Sequence, residues 1–135
     1  MMAMSSEISN VLIEKLAMVL HEHLSIIEEA KRGIAVARAT MGRDKSVILE
    51  VMSKLRMSRA KLLENLRAFN ELGTLSIGES EDLIALLGYY IEVAYVNEAR
   101  ILAEARDFVE VSDDVMSLEV LRAQARSILS SLLTR

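Results

Sequence analysis

The side chains best suited to chemistry form one triplet, His21-Glu22-His23, with Glu28 and Glu29 close behind. Imidazoles and carboxylates together could ligate a divalent metal or relay a proton. On a helix each residue turns about 100°, so His21 and His23 point ~200° apart and cannot share one ion. Zinc proteases place two histidines at i and i+4, and ferritin-like di-iron bundles need Glu-x-x-His on two separate helices. Neither pattern occurs in the sequence. His23 falls on the apolar stripe of its helix and His21 opposite it, which makes His23 a core histidine with satisfied hydrogen bonds.

Two other polar residues, Arg59 and Asn97, interrupt apolar seams. Arg59 could anchor a carboxylate or phosphate of a ligand. The favoured alternative pairs it with an acid on a neighbouring helix, or lays its stem on the core with the head in water. Asn97, beside Ala94 and Ile101, is expected to fix helix register. Lys54 and Lys61 share a face and, with Arg56, Arg59 and Arg67, make this helix the most basic part of the chain. Aromatic side chains for stacking bases are missing there, because Phe69 sits in the seam, so nucleic acid is not the expected partner. The sequence has no cysteine, no glycine-rich phosphate loop and no serine–histidine–acid pattern in a supporting context. No catalytic residue, metal site or cofactor is expected. Methionines such as Met18, Met41, Met52, Met57 and Met116 are taken first as core fillers, although they also suit adaptable binding surfaces.

The elements that position these residues are helical. Proline is absent, glycine numbers five, and strong helix formers dominate. One all-α domain over residues 1–135 is expected: a long antiparallel hairpin, a third long helix and a C-terminal helix, forming a three- or four-helix bundle. The first helix should start at Ser6 and run to about Met41, with its stripe from Leu12 and Ile13 through Ile34 and Ala37, and with Gly42 as its C-cap. Asp44 should cap the second. There Ile48, Met52, Leu55, Arg59, Leu62, Leu66 and Phe69 form a heptad seam closed by Gly73. Ser76 with Glu79, or else Ser80, can cap a third helix expected from about Glu81 to Val111. Its first half, Leu83 to Val96, is apolar nearly all round, so it is either central to the bundle or a subunit contact. Ser112-Asp113-Asp114 is read as the cap of the last helix.

The N-terminus lacks the pattern of a secretory signal, and no apolar run reaches the ~20 residues of a membrane span. A cytoplasmic protein without membrane insertion is expected. The net charge of −4 hides an asymmetry: residues 1–30 carry −4, residues 31–67 carry +7 and residues 68–135 carry −7. Charge pairing between neighbouring helices explains this. A basic face for an acidic partner is the alternative.

Leu12-x-x-x-Leu16 through Ile27-Glu28, Asp44-Lys45-x-x-Ile48-Leu49, Lys61-Leu62-Leu63-x-x-Leu66-x-x-Phe69 and Asn97-Glu98-Ala99-Arg100-Ile101-Leu102 with Phe108 together resemble the flagellar hook-junction export chaperones, the FlgN-like family. The resemblance covers about residues 10–110. It implies a cytoplasmic, non-enzymatic chaperone that holds hook-filament junction proteins and escorts them for export, engaging the client through its C-terminal amphipathic segment. Residues 117–135 occupy that place as a possible binding arm. Its contact residues would be Leu118, Leu121, Arg122, Ile128, Leu129 and Leu132. A helical subunit of a nucleic-acid complex and a structural homo-oligomer zipped through the third helix are the alternatives. Completion of an ordinary four-helix bundle by the last helix is the alternative to the arm.

Overall fold

In the computed structural model, which describes the backbone of residues 2–134 and the side chains of residues 7–134, all regular structure is helical. The elements are α1 (Met2–Ala39), α2 (Ser46–Phe69), α3 (Ile77–Tyr89), a π-helical turn (Tyr90–Ala94), α4 (Tyr95–Ala105) and α5 (Ser112–Leu133). α3, the π-turn and α4 are one continuous rod, so the chain forms a four-helix bundle. α1 packs against α2 and against the α3–α4 rod, and α5 also packs against both of them. The two antiparallel hairpins thus lie face to face, with α1 parallel to the rod and α2 parallel to α5. The side chain at Ser6 lies outside the described residues, but the helical backbone begins earlier, at Met2.

The first hairpin turns through Thr40–Lys45. Met41 donates its N–H to the Arg38 carbonyl at 3.1 Å and Gly42 to the Ala37 carbonyl at 2.7 Å, the paired bonds of a Schellman end. Met41, rather than Gly42, occupies the first left-handed position (φ 54°), and Gly42 follows at φ 80°. Asp44 takes up a first-turn donor of α2 by accepting from the Ser46 N–H at 3.1 Å. The bond from the Ser46 hydroxyl, and then this backbone bond, hold its carboxyl below the ordinary range. Gly33 does not break α1. A Cβ there would come 3.1 Å from the Ile48 backbone, so glycine lets the two helices approach closely.

Ser76 and Glu79 form the reciprocal capping box of α3, which starts four residues earlier than the apolar pattern suggests. The rod ends at Ala105, short of the expected Val111. Ser112 is the first residue of α5 and not its cap. The Glu110 carboxylate accepts from the Ser112 N–H and hydroxyl at 3.0 and 2.7 Å.

Two apolar clusters fill the bundle. One gathers Leu16, Leu20, Leu62, Leu66, Leu87, Leu121 and Ile128, and the other Ile27, Ile34, Ile48, Leu55, Leu102 and Leu118. The second-helix seam is buried along its whole length, arginine included. Met52 is a core filler, but Met18, Met41, Met57 and Met116 are 63–87% exposed, which corrects the core reading for those four.

Candidate functional site

Between the two apolar clusters lies a buried polar layer to which α1, α2, α4 and α5 contribute. His23 comes from α1, Ser58 and Arg59 from α2, Glu98 from α4 and Asp114 from α5. All five are at most 5% exposed. A carboxylate only accepts, so His23 donates from Nε2 to Glu98 Oε1 at 2.6 Å. The Ser58 hydroxyl lies 2.7 Å from His23 Nδ1, within hydrogen-bonding distance of it. Arg59 donates from Nη1 to the second Glu98 oxygen at 2.8 Å and from Nη2 to Asp114 Oδ1. Arg56, half-exposed at the edge of the layer, closes it with two bonds to Asp114, both 2.9 Å. Two guanidiniums and the imidazole thus face two carboxylates across the layer.

Local structure explains the placement. Asp114 lies in the first turn of α5, where the helix dipole favours an anion. Its bonds hold the Arg56 guanidinium charged even more firmly than usual, against a smaller opposing effect of burial. Glu98 reaches the core because of the π-turn, in which Tyr95 donates its N–H five residues back to the Tyr90 carbonyl. The extra residue shifts the buried face: Leu83, Leu87, Tyr90 and Ala94 are followed by Glu98 and not by Asn97, which is half-buried. Asn97 therefore does not occupy the register position expected of it.

Hydroxyl, imidazole and carboxylate in sequence are also the order of a nucleophilic triad. Ser58 even lines a groove of about 290 Å³ between α1 and α2. It sits in the middle of α2, however, where backbone N–H groups are committed to i→i−4 bonds and none can receive an oxyanion. The Glu98 carboxylate is shared with Arg59, which ties the relay into the bundle's own structure. Among the described residues no group of three or more His, Cys, Asp and Glu side chains could hold a metal. His21 is exposed on the opposite side of α1 from His23.

Tyr90, in the π-turn, is 4% exposed and its hydroxyl has no partner. Burial, then the charge of Glu98, pushes the phenol far above its ordinary range, with Arg59 opposing. An unpaired buried hydroxyl costs desolvation free energy without return. Tyr90→Phe is therefore expected to raise stability by about 1 kcal/mol in urea unfolding. A loss of that size would mean that the hydroxyl is bonded.

The residues expected to form a C-terminal contact are placed otherwise. Leu118, Leu121, Ile128 and Leu132 are 1–9% exposed within the core, and Leu129 is half-buried. Arg122 stacks over the Tyr95 ring at 4.5 Å and pairs with Glu119 at 3.5 Å. Tyr95 donates its hydroxyl to the same Glu119. Leu118, Leu121, Ile128 and Leu132 thus pack into the bundle, the arrangement expected if the last helix completes it. Basic residues of the second helix meet acids on three others, with Lys54 3.1 Å from Glu29 as a further example. That supports inter-helix pairing as the cause of the charge asymmetry.

No family model, no curated protein and no solved structure matches this chain. Fold and site define an all-α four-helix bundle with an ionic layer at its centre. Among the described residues no helix is long and apolar enough to cross a membrane.

Proposed function

We propose that the chain is a non-enzymatic helical binding protein that holds a segment of a protein partner in the groove between α1 and α2. The groove carries this reading. It combines Ile26 with the exposed Met57, between Glu22 on one wall and Lys61 on the other, with Glu29 and Lys54 paired to each other at 3.1 Å. A flexible thioether adapts to varied apolar side chains, and flanking charges of both signs orient what docks. The finer form of the proposal is the role that the FlgN-like resemblance implies, a cytoplasmic export chaperone for hook-filament junction proteins. The buried layer supports a binding role over an enzymatic one, since its ionisable groups are engaged with one another.

Titration of a purified hook-filament junction protein against the wild type, Met57→Glu and, as a surface control, Met116→Glu tests both levels. Loss of about tenfold or more in affinity is expected for Met57→Glu alone. Equal loss in both variants would overturn the groove, and no binding to the wild type would overturn the export role.

A further inference from the structure

The outer face of the α3–α4 rod presents Ala85, Tyr89, Glu92, Val96, Arg100 and Ala103 to solvent, with Tyr89 46% and Val96 39% exposed. This is the helix whose apolar character called for cover on more than one side, and the bundle covers only one. The face carries two charges, Glu92 and Arg100, and neither has an ion-pair or hydrogen-bond partner within the described chain. They stand four residues before and four residues after Val96.

We propose that this face pairs with the same face of a second copy of the chain, antiparallel about a two-fold axis at Val96. Under that symmetry, residue 96 plus k meets residue 96 minus k. Glu92 then faces the partner's Arg100, and Arg100 faces the partner's Glu92. An isologous contact requires this self-complementarity. Tyr89 meets the partner's Ala103, beside a hollow of about 160 Å³ between α4 and α5 whose lining is mostly apolar, with Leu102, Val111, Val115 and Leu118, but also includes Arg106 and Glu119. A protruding ring opposite a hollow, repeated twice, complements the charge match. Helix axes in such a contact lie about 8–10 Å apart. One helix pair buries little area, so dissociation in the micromolar range is expected. A lipid surface would not favour a stripe with unpaired charges of both signs at its middle.

Sedimentation equilibrium between about 1 and 200 µM reads the assembly directly, with circular dichroism confirming that each variant is folded. A reversible dimer is expected. Glu92→Arg and Arg100→Glu should each weaken it by about tenfold or more, since each places like charges opposite one another twice. The double variant E92R/R100E should restore affinity to within about threefold, because the swapped charges again face opposite signs. The chain has no cysteine, so Val96→Cys offers an independent readout. At the axis its thiol meets its own symmetry mate, and mild oxidation should give a covalent dimer far faster than Met116→Cys does. A wild type monomeric at 200 µM, single variants that leave the dimer unchanged, a double variant that fails to restore it, or Val96→Cys that oxidises no faster than Met116→Cys would each overturn the proposal.

Discussion

Arg59→Leu is expected to cost the bundle ~3–5 kcal/mol, a large share of the stability of a domain this size. The loss does not measure the strength of two ion pairs. The variant leaves Glu98 and Asp114 inside the bundle, 0% and 2% exposed, with much of their compensating charge gone. Arg56 still reaches Asp114, but Glu98 keeps only the bond from His23. Exposed pairs such as Lys31–Glu28, at 2.9 Å, are worth at most about 1 kcal/mol, so removing Lys31 should leave the melting temperature almost unchanged. Replacing His23, Arg59, Glu98 and Asp114 together by apolar residues of similar volume should be neutral or stabilising, because no stranded charge remains. Urea unfolding of the three variants checks the ordering. An Arg59→Leu loss below about 1 kcal/mol would show that water reaches the layer.

Deletion from Ser117 onward is expected to abolish folding. It removes Leu118, Leu121, Ala125, Ile128 and Leu132, which seal both apolar clusters along one side. Full burial of each leucine or isoleucine contributes roughly 1.5–3 kcal/mol, so their sum rivals the whole stability of an ordinary domain. The truncated chain should lose its helical circular dichroism signal or aggregate. A shortened protein that keeps its cooperative melt would show that α1 to α4 close a core by themselves and that α5 is an arm. The full-length chain should melt in one transition, since the ionic layer couples the two clusters through all four helices.

Much of this arrangement was legible along the chain. Steps of three and four residues identified the buried faces of α1, α2 and α5 almost residue by residue, because a helix converts spacing into direction. The same geometry separated His21 from His23 and made His23 a core residue. An arginine in a heptad seam called either for an acid from another helix or for water at its head, and the structure supplies the acids. The missing proline and scarce glycine excluded a β fold.

Tertiary structure alone decided which acids answered Arg59. Glu98 and Asp114 lie 39 and 55 residues away, and no local periodicity links them. The π-turn that brings Glu98 inward in place of Asn97 is built from Tyr-Ile-Glu-Val-Ala, with no glycine or proline to mark it. A one-residue shift of face is small in local energy and is stabilised by packing and charge pairing elsewhere in the bundle. The stripe on α5 looked the same whether destined for the core or for a partner, since amphipathicity reports that a face needs cover and not what covers it. Cover for that stripe came from α2 and the α3–α4 rod, while the outer face of that rod was left open. Spacing along a helix is a local property, whereas the choice of neighbour is a sum over contacts distant in sequence.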